Sequence, residues 1–264
     1  MALLNKRSFK SAILNLKIED DDDIVFSENH IFEPEYHQEI YYGAEEEIKR
    51  KIGSFQLGDP ARLKRQINRG AQPIYADKDD DSSSLYFEGM TNDSGEIVKD
   101  KDGDTNVCAL KSICIRQGYI DIFTARSVSR EYYQKYKNRS AVQKNDILIN
   151  STGDGTIGRV AVYNYDFPAV VDGHITIVRY NDTALAWYVA AFLASENGQR
   201  QIYRYINGSS GQVEIYPQDL ERIWIPKVSD ERIKQISSSY QQATREYDNF
   251  RANLNRALML ANNV

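Results

Sequence analysis

From Ile233 onward the apolar positions of this chain fall on a single rhythm. Ile233, Ile236, Tyr240, Ala243, Tyr247, Phe250, Leu254, Ala257 and Ala261 are spaced alternately 3 and 4 residues apart without a break. A helix puts residues at those intervals on one side, and the strict alternation is the heptad seam of helices that pair. Such a stripe either packs on the helix's own domain or meets a partner helix. Ser, Gln, Asn and Arg fill most flanking positions, and the narrowness of the stripe favours a partner. Tyr and Ala occupy positions where a strong two-stranded zipper uses Ile or Leu, so the seam is marginal by itself. Residues 229–264 are thus expected to form a long C-terminal helix of coiled-coil type, with Ile233, Ile236, Tyr240, Tyr247, Phe250 and Leu254 as its assembly residues.

A second constraint is the stretch DILINSTGDGTIGRVAVY at 146–163. Its GDGTIG matches G-x-G-x-x-G, which cradles a dinucleotide pyrophosphate when a strand turns into a helix. The next residues, RVAVYNYDFPAVVDGHITIVRY, instead place Val160, Val162 and Tyr163, then Ile175, Ile177 and Tyr180, at strand spacing. The pattern is therefore expected to be a polar turn between two strands, its glycines supplying unusual dihedrals. Further signals divide the chain into an acidic extension at 1–30 and a domain at 31–228. FEPEYHQEIYYGAEEEIKRKIG reads as a helix ending near Gly53, followed by a short SFQLGD strand. SVSREYYQKYKNR reads as a capped helix, and NDSGEIVKD and QGYIDI as hairpin or strand pieces. TALAWYVAAFLASENGQRQIYRYI carries Leu185, Tyr188, Val189, Phe192 and Leu193 on one helical face. The sequence NGSSGQVEIYPQDLERIWIPKV then gives a glycine loop, a strand, a short helix and a last strand. The expected class is α/β, mixed α+β with many short strands, followed by the long helix.

The formal net charge of −5 argues at first against nucleic acid, which Lys and Arg bind. The charge is unevenly placed, however. Residues 1–50 hold 6 basic and 12 acidic side chains, whereas ARLKRQINRG at 61–70 is +4 without an acid and 111–144 carries 8 basic residues against 2 acids. That segregation leaves room for a basic face, a solvated charge run being the plainer account. With 18 Tyr against 9 Phe and 2 Trp, many rings carry a polar tip suited to binding surfaces. No stretch is apolar enough to cross a bilayer, and the first residues lack a cleavable leader, so a cytoplasmic location is expected. Cys108 and Cys114 fit neither a disulfide framework nor a zinc site.

The signatures of several chemistries are missing from the sequence. There is no Pro-Pro pair, hence no N/D-P-P-Y/F tetrapeptide of an adenine methyltransferase, and no Walker or H-E-x-x-H motif. DKDGDT at 100–105 starts like a calcium loop but has Thr105 and Lys111 where Gly and Glu are needed. Neither cofactor nor metal is expected. His174, in VVDGHITIV, is a candidate general base or ligand contact, although a lone His beside a strand is more often structural.

Four ordered motifs, DILINSTGDGTIGRVAVY, VVDGHITIVR, FLASENGQRQI and NGSSGQVEIYPQDLERIWIP, together resemble the target recognition domain of Type I restriction-modification specificity subunits, over about residues 30–264. The resemblance implies a non-catalytic module that reads double-stranded DNA, followed by a helical spacer that docks methyltransferase subunits, with restriction subunits as a further partner. A full specificity subunit has two such domains and this chain has one. That implies a half-subunit that pairs with itself or with another helix, or a domain of a larger protein such as a fused restriction-methyltransferase. On this reading Arg65, Arg69, Arg116, Arg126, Arg130 and Lys135 are candidates for phosphate or base contacts, with Arg200 and Arg204 second because a helix surface also explains them. Asn150, Ser151, Thr152, Asp154 and Thr156, then Ser209, Ser210 and Gln212, with His174, offer the short polar groups that tell base edges apart. The rival expectation is an enzyme, a stand-alone nuclease or hydrolase using His174 with Asp172 or Asp154. A protein-interaction scaffold is a third.

Overall fold

A computed structural model describes residues 34–75, 106–208 and 212–262 of the chain. The acidic stretch at 1–30, the NDSGEIVKD piece, the DKDGDT turn, Ser209 and Ser210 lie outside these residues. Among the described residues, ten short strands form three sheets. Strands β1 (Phe55–Gln56) and β10 (Trp224–Ile225) pair antiparallel and tie the start of the described domain to its end. The central sheet runs β2 (Asn68–Arg69), β9 (Ile175–Val178), β6 (Ile147–Asn150), β7 (Val160–Val162), all antiparallel. The third sheet runs β4 (Arg126–Ser129), β3 (Asn106–Leu110), β8 (Ala169–Val171), β5 (Ala141–Val142), with β3 and β8 parallel.

Every described residue of β6, β7 and β9 is buried, which explains their nearly unbroken apolar sequences. Both faces of the central sheet are covered. Leu148, Ala161, Ile175 and Ile177 point to a core shared with Leu110, Ala169 and Val171 of the third sheet. Ile147, Ile149, Val160, Val162 and Val178 point the other way, into a core closed by helices α3 (Thr183–Ala194) and α4 (Glu196–Arg204). Helix α2 (Arg130–Ser140) covers the far face of the third sheet through Tyr132 and Tyr133. The layers are therefore helix, sheet, sheet, helix. Capping uses the expected chemistry: Ser129 Oγ accepts from the Tyr132 amide at 3.1 Å, and Asp182 Oδ1 from the Leu185 amide at 2.7 Å. Cys108 and Cys114 are both buried.

Three elements differ from the sequence reading, and the first is VEIY, expected as a strand, which makes only isolated bridges at Glu214 because its backbone partners, Asn207 and Thr152, lie in loops. The stretch 183–206 is two helices, broken at Ser195, whose extended backbone ends α3 and begins α4. Gly198 makes the sharp junction possible, since a Cβ there would stand 2.2 Å from the Phe192 carbonyl oxygen. QGYIDI forms a tight turn, with Ile115 bridging Ile120, and then a 3-10 turn at Ile122–Thr124. Helix α1 (Glu39–Lys49) packs beside α4, and the short α5 (Pro217–Leu220) precedes β10.

The long helix α6 (Asp230–Asn262) does not carry its seam as a free stripe. Ile233, Ile236 and Tyr240 pack on the core at α3, where Tyr240 meets Trp187 edge-on at 5.4 Å and Ser237 Oγ donates to the Ala184 carbonyl at 2.6 Å. Further on, the Tyr247 ring lies 3.9 Å from that of Tyr119, Tyr165 Oη donates to Asp248 at 2.9 Å, and Arg251 pairs with Asp121 at 3.3 Å. These residues lie on one face of a straight helix because 18 residues make about five turns at 3.6 per turn. A heptad seam drifts off that face by about 20° per repeat. So Ile233, Ile236, Tyr240 and Tyr247, expected to meet a partner, are covered by their own domain, while Phe250 (60% exposed), Leu254, Leu258, Met259 and Leu260 remain uncovered.

Candidate nucleic-acid interface

The glycine stretch is a turn between two strands. Gly153, Gly155 and Gly158 all have φ between 76° and 90°, the left-handed region that favours glycine, and the chain continues from Gly158 directly toward β7. No helix begins after the turn, so a phosphate cradle of the dinucleotide type is absent from it. Thr156 Oγ1 closes the turn by donating to the carbonyls of Thr152 and Gly153 at 3.1 and 3.2 Å.

A second polar loop lies against the first. Asn207 and Glu214 exchange backbone hydrogen bonds at 2.7 and 2.9 Å, which holds the chain at 207 beside the chain at 214. Thr152 also bridges Glu214, the Gly153 amide donates to the Val213 carbonyl at 3.2 Å, and the Ile215 amide donates to Ser151 O at 2.9 Å. Gln212 and Asp154 are both exposed on this paired surface, with Thr152 and Thr156 half-buried beside them.

His174 stands exposed at the same end of the central sheet, on the turn that leads into β9. Its Nδ1 is 2.8 Å from Thr152 Oγ1, and its backbone amide donates to Asp172 Oδ1 at 2.9 Å. Asp172 is buried and also receives a hydrogen bond from Tyr75 Oη at 3.4 Å. Burial pushes its carboxyl above the usual range, opposed by the His174 backbone hydrogen bond and the charges of His174 and Lys111. The Tyr75 ring has Lys111 Nζ 5.0 Å and Arg126 Cζ 5.9 Å from its centre, so aromatic and cationic groups extend the surface. A chain of contacts thus joins Lys111, Tyr75, Asp172, His174, Thr152 and Glu214.

The remaining expected residues separate into distinct settings. Arg130 and Lys135 are exposed on α2. Arg65 turns inward to the end of that helix, donating to the carbonyls of Asn138 and Arg139 at 3.0 and 3.5 Å. Burial and the nearby Arg179 lower its pKa. Arg69 is held by Glu214, by Ser151 O at 3.3 Å and by Ile215 O, with its guanidinium 5.1 Å from the Tyr216 ring. Arg116 belongs to the 115–120 turn, which Tyr119 fastens to α6, and Arg200 pairs with Glu196 on the α4 surface.

Three expected contacts lie in the interior instead. Asn150 is fully buried and donates to Ser112 O at 2.9 Å, and Ser151 shares a buried hydrogen bond with Thr176 at 2.5 Å. Arg204, 6% exposed, pairs with Glu45 at 2.6 Å and stacks on Tyr36. Ser151 and Arg204 have their polar groups committed to folding, because a buried polar group without a partner is costly, whereas Asn150 commits its Nδ2 and keeps Oδ1 buried without a hydrogen-bond partner. Glu214, Tyr216, Tyr75 and Lys111 were missed by the sequence reading. Glu214 and Tyr216 sit in the quoted VEIY segment, where alternation gave a signal, whereas nothing local marks Tyr75.

The arrangement does not form a catalytic pair in the manner of a carboxylate-oriented imidazole. Asp172 holds the His174 backbone, while Nδ1 meets a hydroxyl. Among the described residues no group of three or more His, Cys, Asp or Glu is placed to hold a metal ion, and no helix is long and apolar enough to cross a membrane.

The family model described as Type I restriction modification DNA specificity domain matches residues 98–254, a span that contains β3 to β10, the glycine turn and most of α6. The chain belongs to this family. Solved structures with a similar fold include the type IIG restriction endonuclease BpuSI, at 12% identity and a TM-score of 0.51, covering 78% of this chain and 28% of that one. A type I R-M system complex matches at 14% identity and a TM-score of 0.44, covering 83% of this chain and 49% of that one. The HsdS subunit from Thermoanaerobacter tengcongensis matches at 15% identity and a TM-score of 0.39, covering 83% and 48%. This specificity-domain chain thus spans between about a quarter and a half of the length of these chains. A comparison with curated proteins gives no match.

Proposed function

We propose that this specificity domain reads the sequence of duplex DNA, without cutting or modifying it, through the surface formed by the glycine turn and the 212–216 segment. The observation that carries the proposal is the junction of those two loops through Thr152, Gly153, Val213 and Glu214. Sequence-distant polar loops brought side by side at one sheet end present donors and acceptors in a fixed array, as base-edge recognition requires. Thr152, Asp154, Thr156, His174 and Gln212 are the proposed reading groups. Arg126, Arg130, Lys135 and Lys111 supply positive charge for phosphates. Arg204, Asn150 and Ser151 act from inside the fold, the half-buried Arg65 and Arg69 hold neighbouring backbone carbonyls, and Arg116 and Arg200 belong to other parts of the surface. The setting of His174 favours binding over a stand-alone nuclease or hydrolase.

Methyltransferase and restriction subunits, or fused domains of the same polypeptide, supply the chemistry, and the module works in the cytoplasm. The uncovered end of α6, with Phe250 and Leu254, pairs with a second copy or with a partner's helix.

Selection from a pool of duplexes with a randomised centre tests the reading. The purified protein should enrich one sequence family and leave the DNA intact with magnesium present. Enrichment of no sequence, or cutting of the pool, counts against it. Co-expression with candidate methyltransferases and mapping of modified sites should return the enriched sequence.

A further inference from the structure

Arg69 lies at the sheet end used for reading, in a stretch of dense positive charge, yet its guanidinium is turned away from any external anion. One Nη donates to the Glu214 carboxylate, and the other donates to the carbonyls of Ser151 and Ile215. The Tyr216 ring covers one face at 5.1 Å, and the side chain keeps only 15% of its accessible surface. The acceptors belong to different segments. Ser151 begins the glycine turn, Glu214 and Ile215 close the opposing loop, and Arg69 itself is an edge residue of the central sheet, in register with Thr176 of β9. Thr176 in turn shares the buried hydrogen bond with Ser151. Arg69 therefore joins three strands of backbone that have no covalent reason to stay in register. Its charge holds the Glu214 carboxyl below the usual range, chiefly through their hydrogen bond.

We infer that Arg69 is a positioning residue of the DNA-reading surface: it clamps the glycine turn to the 212–216 segment and thereby sets discrimination between sequences, with no part in phosphate affinity. This rests on the DNA-reading function proposed above. A planar fork with several donors can satisfy three acceptors in different directions, whereas a lysine offers one compact charge. That difference separates a clamp from a phosphate contact.

The test compares wild-type protein with Arg69→Lys, Arg69→Met and Glu214→Ala, using the enriched duplex and a random-sequence duplex over a series of salt concentrations. A clamp predicts that all three variants lose about tenfold in the ratio of specific to random affinity, worth about 1.4 kcal/mol, with the salt slope unchanged. It also predicts that the Arg69→Met and Glu214→Ala losses do not add in the double variant. A phosphate contact predicts instead that Arg69→Lys behaves as wild type and that Arg69→Met lowers the slope by about 0.9, one phosphate's share. That result overturns the inference, as does an equal loss on both duplexes, which is plain destabilisation.

Hydrogen exchange makes the inference separable from the function it rests on. The Gly153 and Ile215 amides, bonded to Val213 O and Ser151 O, should exchange faster in Arg69→Lys than in wild type. If wild-type protein selects no sequence, the DNA-reading function fails while faster exchange still establishes the clamp. Unchanged exchange at both amides removes the clamp whatever the DNA result.

Discussion

Individual side chains in this domain gain their roles from what surrounds them. Arg204 and Glu45 show the point: one arginine of a helix surface pattern is folded inward to meet a glutamate of another helix, with side chains 7% and 8% exposed. Removing one partner of such a pair leaves the other charge buried and unpaired, at a cost of roughly 3–5 kcal/mol. Arg204→Met should therefore lower the urea midpoint strongly while leaving the salt slope of DNA binding unchanged. Asp248 is a second case. Burial against the domain pushes its carboxyl from 3.8 up to about 6, and the hydrogen bond from Tyr165 only partly opposes this. A raised folded-state pKa means the docked form binds the proton more tightly. Its contribution to stability is thus full below about pH 4 and is lost as the pH rises through about 6. Asp248→Asn should accordingly be more stable than wild type at pH 8, by at most about 3 kcal/mol for a shift of about two units, and show no such gain at pH 4. Urea unfolding at the two pH values checks both the sign and the window.

At the scale of elements, the turn that joins β6 to β7 is built by glycines with different demands. Gly155 and Gly158 share the left-handed backbone, at φ 76° and 81°, but a Cβ at Gly155 meets nothing within 4 Å, whereas one at Gly158 stands 3.1 Å from Ile202 Cγ2. The backbone term alone is about 1–2 kcal/mol for an L-residue. Gly155→Ala should cost that much, and Gly158→Ala more, because Ile202 is fully buried in the core and has to give way. Thermal unfolding of the two variants gives the order. The same turn shows why G-x-G-x-x-G has to be read together with the element after it: the phosphate chemistry needs a helix N-terminus there, and this chain enters strand β7 instead.

At the scale of the molecule, the layered core and the long helix are one construction, because the first five turns of α6 complete the core at α3 and then fasten the 119–123 region. Only beyond Arg251 does the helix leave the domain. A helix of 33 residues spans about 50 Å at 1.5 Å per residue, of which the 11 residues beyond Arg251 account for about 17 Å. Replacing both Phe250 and Leu254 with Asp should abolish association while leaving the unfolding midpoint of the domain unchanged, since both side chains are already exposed. Sedimentation with and without the substitutions tests this. A wild-type protein that stays monomeric with DNA and methyltransferase present would remove the assembly role from that end.

Local signals in the sequence determined the class of several elements: helices at 39–49, 130–140 and 230–262, strands on both sides of the glycine turn, and the turn itself, whereas the short strands of the third sheet left no such signal. Those features are local, since helix caps, strand spacing and glycine dihedrals depend on neighbours within a few residues. The four ordered motifs also carried the family, because their order is a property of the chain. Tertiary structure alone decided which polar residues face outward. Asn150 and Thr152 are two residues apart in similar polar sequence, yet one is sealed beneath Ser112 and the other bridges two loops. Arg69 and Arg204 look like surface cations until distant acceptors close around them, and the seam of α6 looks like a partner stripe until α3 covers half of it. Burial is a sum over contacts from remote parts of the chain, and local sequence holds no record of those contacts.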